Sequence, residues 1–251
     1  NGSGKSTLMK ILVGLVRPVE GIGEVFGEPA GPGAWRSRAR IGYLPPEPRT
    51  YPRWTGGQFL DFSLSFHPRA DRRRAREWAA RLELPLGART KTYSTGMKQR
   101  LALLGAACCG ADLLILDEPT GGMDPSMRLG LFMLLQQERA AGRSVLLSSH
   151  LLGDLGRLCD GFLFLKGGRP VDLSAAGEPC ARVVFADPEA ASRLAFPPGT
   201  DVKRLDGAIE VRGVPWEALM RSLAGFEVQS LEYRGDSLED RYRAVYGGEV
   251  A

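Results

Sequence analysis

Apolar positions in the first two thirds of the chain alternate between helical spacing and short unbroken runs. Leu8, Met9, Ile11, Leu12 and Leu15 recur at helical intervals behind a polar, glycine-rich opening, and predict a helix ending near Arg17-Pro18. Residues 21–33 are rich in glycine and proline and hold one short strand candidate, Glu24-Val25-Phe26. Arg40-Ile41-Gly42-Tyr43-Leu44 reads as a strand that stops abruptly at Pro45-Pro46. From Thr55 to about Leu84 the pattern is helical and arginine-rich, and it leads to the small-residue segment Tyr93-Ser94-Thr95-Gly96. Then come a helix (Met97 to about Ala107), a strand (Leu113 to Leu116), a helix (Pro125 to Ala141) and a strand (Ser144 to Leu147). A last core strand, Gly161 to Leu165, is expected before the turn Lys166-Gly167-Gly168. Such alternation predicts an α/β fold with a parallel sheet, carrying a helical insert at about residues 51–95.

After about Gly177 the pattern changes to separate strand candidates, Ala181 to Phe185, Ala208 to Arg212 and Phe226 to Tyr233. Helix candidates at Pro215 to Leu223 and Ser237 to Tyr246 interleave with them. The expected organisation is therefore a larger α/β domain, residues 1–176, followed by a small αβ accessory domain, residues 177–251.

Composition adjusts this picture only slightly. With 251 residues, 43% hydrophobic and 25% charged, the chain is of globular type and can bury at least one sizeable core. Runs such as Leu113-Leu114-Ile115-Leu116 are strand-length, far below the roughly 18 apolar residues that span a bilayer, so the chain itself is not expected to cross one. The net charge of +4 comes mostly from scattered arginines. The dense cluster from Arg69 to Arg76 reads as a solvated helix face in preference to a nucleic-acid or lipid surface. Cys108, Cys109, Cys159 and Cys180 follow neither a disulfide framework nor zinc spacing and are expected to be buried free thiols of a reducing cytoplasm. The sequence begins at Asn1 with no signal-like segment, so its opening reads as cut off upstream.

Candidate chemistry lies at the ends of these elements. Asn1-Gly2-Ser3-Gly4-Lys5-Ser6-Thr7 before a helix suits phosphate binding, because backbone N–H groups converge on the β- and γ-phosphates and the helix N-terminus adds positive charge. Lys5 would hold the phosphates and Ser6 a magnesium ion; the glycine completing the pattern, three residues before Gly2, would precede Asn1. Leu113 to Leu116 runs into Asp117-Glu118, placing two carboxylates at the edge of the sheet where ligands bind. Asp117 can hold the magnesium through water and Glu118 can orient or deprotonate the attacking water; an acidic turn capping the next helix is the other reading. His150 closes Val145-Leu146-Leu147-Ser148-Ser149, a strand expected beside that of Asp117, within reach of the γ-phosphate, although a lone histidine is commonly structural. His67 stays unassigned. Ser94-Thr95-Gly96 reads as a second phosphate-binding helix start or as a plain N-cap at Ser94.

Tyr93-Ser94-Thr95-Gly96-Met97-Lys98-Gln99-Arg100 resembles the signature sequence of ATP-binding-cassette ATPases. The phosphate loop, this signature, Asp117-Glu118, Gly121-Gly122-Met123-Asp124 and His150 stand in that family's order and spacing. The resemblance implies a P-loop NTPase core with a helical signature subdomain, ATP and Mg2+ as ligands, and ATP hydrolysis. It implies that Asn1, Gly2, Ser3, Gly4, Lys5, Ser6 and Thr7 contact nucleotide in one subunit, while Ser94, Thr95, Gly96 and Asp124 serve the nucleotide of a second subunit in a head-to-tail dimer. Ser6 and Asp117 would serve the metal, and Glu118 and His150 catalysis. A second cassette subunit, identical or not, and an integral-membrane permease engaged through Ile41 to Glu47 are the implied partners, with no nucleic acid.

Two positions depart from the family pattern. Pro46 stands where the family usually has a glutamine that approaches the magnesium, leaving Glu47 as the candidate substitute. Thr95 stands where glycine is commoner, adding a β-branched side chain at a close approach to phosphate, so modest turnover is expected. The family's opening strands and its adenine-stacking aromatic residue are also missing from the sequence.

Residues 41–150, with Ser237-Leu238-Glu239-Asp240, resemble most the ATPases of bacterial exporters of drugs, antibiotics or lipids, which work on the cytoplasmic face of the plasma membrane. The competing expectation is a non-transport cassette ATPase acting on DNA or ribosomes. Against it, chromosome-type members place a long coiled coil between phosphate loop and signature, where this chain has only residues 8–93, and translation-type members carry two cassettes. The tail is assigned no chemistry.

Overall fold

The structure, a computed structural model, describes residues 2–149, 159–171, 180–187, 189–194, 196, 200–214 and 216–234. The chain separates into two compact units, Asn1–Leu151 with Leu165–Arg169, and Leu152–Phe164 with Pro170–Ala251.

The first unit opens with α1 (Lys5–Leu12), which starts at Gly4 in a left-handed conformation, φ 94°. This helix is shorter than its apolar spacing suggests. Gly14, at φ 77°, ends it, with its N–H donating to the Ile11 carbonyl, and Leu15 is left 56% exposed. A small antiparallel pair, β1 (Glu24–Val25) and β2 (Glu28–Pro29), and a short α2 (Trp35–Arg38) follow.

Three parallel strands among the described residues carry the site: β3 (Ile41–Leu44), β4 (Leu113–Leu116) and β5 (Ser144–Leu147), in the order β3-β4-β5. Their register pairs Leu44 with Leu116 and Leu116 with Leu147, so the strands end level with one another. Leu114, Ile115 and Leu116 are fully buried, as an unbroken apolar run in the centre of a covered parallel sheet requires. The α/β class expected from the alternation is what the chain adopts.

Strand β3 lies hard against α5 (Thr95–Ala107): a Cβ added at Gly42 would stand 2.3 Å from the Ala106 carbonyl oxygen. Gly42→Ala is therefore expected to destabilise the first unit by about 1–3 kcal/mol, read as a lower urea midpoint at unchanged slope.

The insert consists of α3 (Gly56–Ser65), α4 (Arg72–Arg81) and a 3₁₀ turn (Thr90–Thr92). Thr55 and Gln58 form a reciprocal capping box on α3, and Asp71 caps α4. Leu60, Leu64, Trp78, Leu101 and Leu104 join the insert and α5 in one core. The arginine cluster is only partly the solvated face its charge suggests. Arg73 is 85% exposed, but Arg74 pairs with Glu138, fully buried on α6 (Pro125–Ala140) and also paired with Arg143. Arg69 shares Asp112 with Arg40, and Arg76 reaches Asp61 at 2.9 Å. An isolated buried carboxylate would be costly, so paired arginines are what the Glu138 site demands. The four cysteines form no disulfide with one another; Cys108 and Cys109 are buried as expected, but Cys159 and Cys180 are only partly buried, and burial pushes the Cys108 thiol up to about 12.

The expected core strand at Gly161 to Leu165 takes another form. Gly161 to Leu163 form no strand, and β6 (Phe164–Lys166) makes a separate two-stranded sheet with β7 (Arg169–Val171). Gly167 and Gly168, both at positive φ, turn the chain back at once, so the nearest partner in sequence takes the ladder.

The second unit runs β8 (Cys180–Phe185), α7 (Ala190–Arg193), β9 (Asp201–Leu205), β10 (Ala208–Arg212), α8 (Trp216–Leu223) and β11 (Val228–Arg234). Its antiparallel sheet has the order β11-β8-β10-β9. This is the β-α-β-β-α-β topology of ferredoxin-like folds. Val183, Phe185, Ile209, Val211 and Leu219 form its core. Strand β9 has no counterpart among the strands expected from periodicity, because its mostly polar residues lack apolar alternation; the Asp206-Gly207 pair joining it to β10 was the available hairpin signal. The helix expected at Ser237 to Tyr246 lies outside the described residues.

Candidate nucleotide site

The loop before α1 is shaped by Gly2 at φ 90° and Gly4 at φ 94°, conformations that side chains other than glycine rarely adopt. No side chain caps α1 and no acidic residue occupies its first turn, so its leading N–H groups face no competing carboxylate from the helix itself. Lys5 Nζ donates to Ser3 Oγ at 3.2 Å, and the Ser3 carbonyl accepts from Gly168 N–H at 3.2 Å. Ser6 is half-buried and Thr7 exposed on the same turn.

Asp117 follows β4 directly and is fully buried. Its N–H donates to the Leu44 carbonyl at 2.9 Å, and its Oδ1 accepts from Ser148 Oγ at 2.6 Å. Its Oδ2 is buried without a hydrogen-bond partner among the described residues. A carboxylate oxygen withdrawn from water without a donor is unfavourable, and a cation supplies what it lacks, so this oxygen suits a divalent metal. The phenol oxygen of Tyr43, on the neighbouring strand, is also buried without a partner among the described residues. Burial, then the Asp117 charge, pushes that phenol above its usual range, so it stays neutral beside the carboxylate.

Glu118 sits at φ 51°, a left-handed conformation costing a non-glycine residue about 1–2 kcal/mol. Three bonds hold it there. Its N–H donates to Ser148 Oγ at 2.9 Å, while its carbonyl accepts from Gln99 Nε2 at 3.2 Å and from Gly121 N–H at 3.1 Å.

The signature segment is built as a helix start. Ser94 Oγ accepts from Met97 N–H at 3.2 Å, and both Ser94 and Thr95 are exposed. Gly96 is buried against the loop after Glu118: a Cβ there would stand 2.3 Å from the Gly122 carbonyl oxygen. Asp124 caps α6 through Met127 N–H at 3.0 Å and accepts from the Ser126 hydroxyl at 2.7 Å. The Ser126 bond, then that from Met127, holds its carboxyl below the usual range.

Ser148 thus links Asp117 with Glu118, Gln99 of the signature helix bonds the Glu118 carbonyl directly, and Gly96 meets Gly122. Glu47 is exposed. Asn1 and His150 lie outside the described residues. Sequence reasoning missed Ser148 and Gln99. The first was within reach, since level strand ends put Ser148 opposite Asp117; the second depends on how α5 is turned, which no local pattern carries.

A phosphate-shaped loop opening a helix beside a parallel sheet that ends in a buried aspartate defines a P-loop nucleotide-binding protein. A family model described as ABC transporter matches residues 1–121. Nod factor export ATP-binding protein I of Rhizobium meliloti is 32% identical over 247 residues, covering 84% of this chain and 72% of that protein. A solved ATP binding subunit of an ABC transporter superposes with a TM-score of 0.62 at 31% identity, over 68% of this chain and 73% of that one. An ATP-binding cassette solved as a dimer in a post-hydrolysis state, bound to ADP and Pi, shares the fold with a TM-score of 0.60 at 23% identity, over 68% and 81%. The chain belongs to the family of ABC transporter ATP-binding proteins. It spans 52%, 61% and 49% of the length of three further curated relatives.

Proposed function

We propose that the protein binds Mg-ATP between two cassette subunits and hydrolyses it to drive a separate membrane permease, within an exporter. The observation carrying this reading is the buried Asp117, whose Oδ2 has no donor among the described residues, at the end of the central strand and next to Glu118. Lys5 and the leading N–H groups of α1 bind the phosphates and balance their charge. Ser6 and Asp117 would hold the magnesium, which would supply positive charge against that of the phosphates. Glu118 accepts a hydrogen bond from the attacking water, orients it and takes its proton. His150 is proposed to contact the γ-phosphate.

Ser94, Thr95, Gly96 and Asp124 are assigned to the nucleotide held by the second subunit. Supporting this, Ser94 and Thr95 are exposed at a helix start where backbone N–H groups favour anions. Glu47, exposed after Pro45-Pro46, is the candidate to stand in for the missing glutamine at the permease-facing segment. Among the described residues no helix is long and apolar enough to cross a membrane, which suits a subunit attached to the cytoplasmic face through its partner. The exporter reading draws on the relative named for Nod factor export.

Tagged full-length protein, purified from gently solubilised membranes, is expected to bring down a polytopic hydrophobic partner identified by mass spectrometry, and to hydrolyse ATP only with magnesium. Recovery solely from the soluble fraction with ribosomes or nucleic acid would replace the transport reading with the non-transport one.

A further inference from the structure

Ser148 stands one residue past β5, is 4% exposed, and its hydroxyl is engaged on both sides. It donates to Asp117 Oδ1 at 2.6 Å and accepts the Glu118 N–H at 2.9 Å. We infer that Ser148 is a positioning residue for both carboxylate-bearing residues of the site, aiming the second oxygen of Asp117 and holding Glu118 in its left-handed backbone. This rests on the function proposed above.

A hydroxyl has one proton, and here it goes to Oδ1 of Asp117. The terminal torsion of an aspartate is broad when nothing holds it. Fixing Oδ1 therefore fixes the direction of Oδ2, the buried oxygen without a partner. The hydroxyl's lone pair takes the Glu118 N–H, which would otherwise lose its acceptor within a partly buried turn at φ 51°. Gln99 and Gly121 grip the carbonyl of the same residue, so the backbone of Glu118 is held at both ends. Outer groups that orient a metal-binding carboxylate act on affinity without touching the metal.

Threonine and valine at position 148 have nearly the same shape and differ in the hydroxyl, so the pair isolates these two bonds. The full chain is used, with Mn2+ affinity followed by electron paramagnetic resonance in the presence of a non-hydrolysable ATP analogue. Exchange of the Glu118 amide is followed without nucleotide. Ser148→Thr is expected to match wild type. Ser148→Val is expected to lose roughly 10–100-fold in Mn2+ affinity, with metal-free nucleotide affinity changed less than about twofold. Its Glu118 amide is expected to exchange faster by about tenfold, as the loss of a buried acceptor worth about one hydrogen bond implies.

Equal Mn2+ affinity and equal Glu118 protection in the two variants overturn the inference. If wild type binds no metal with the analogue, the proposed function falls and the metal half of this inference with it. Exchange at Glu118 then decides the remainder: faster in Ser148→Val supports the backbone role, and equal rates overturn it. If Ser148→Val does not fold, Ser148→Ala compared with wild type is read in the same way.

Discussion

Glu118→Gln is expected to leave ATP binding intact while lowering turnover by about 10²–10⁴, the range for loss of a positioned general base. That corresponds to about 3–5 kcal/mol of barrier. Glutamine has the same length and shape, and the bonds that hold position 118, from Ser148, Gln99 and Gly121, involve only its main chain. The left-handed backbone at φ 51° is thus no worse for the substitute. What disappears is an acceptor basic enough to take a proton from water. The full-length protein should show wild-type affinity for a fluorescent ATP analogue, strongly slowed phosphate release, and an ATP-dependent shift to the dimer, because a pair that closes on ATP and cannot cleave it stays closed. Wild-type turnover would remove Glu118 from its assigned role.

The difference between what Glu118 and its neighbours revealed in sequence is physical. Leu113 to Leu116 announce a covered central strand because all four are apolar, and β3, β4 and β5 lie where their runs place them. The two carboxylates follow from that strand's end. A run's length gives no stop signal for α1, which Gly14 ends through its left-handed turn. Strand β9 is a polar edge and has nothing to alternate. Asp124 shows a cap in this chain, and any role across a dimer lies beyond one subunit's bonds. The lone oxygen of Asp117 and the Gln99 bond to Glu118 depend on how β5 and α5 are turned against β4, a tertiary fact with no local signature. The signature itself was legible as Ser94-Thr95-Gly96, but its contact with Gly122 requires the folded loop.

Lys5→Ala separates binding from chemistry in the opposite sense. The ammonium is the one charged side chain in the first turn of α1, so its loss takes away a charge-assisted contact to phosphate while the loop's N–H groups remain. Such a contact contributes about 1.5–3 kcal/mol, so ATP affinity is expected to fall by about 10–150-fold. The fall should shrink as salt is raised, since part of the attraction is screened. In the free protein Lys5 makes a single described bond, to Ser3 Oγ at 3.2 Å, so the urea midpoint is expected to stay near that of wild type. Loss of affinity with an unchanged midpoint assigns the effect to the ligand. An unaltered affinity would contradict the phosphate-loop assignment, and would leave the left-handed glycines before α1 shaping a turn with no anion to serve.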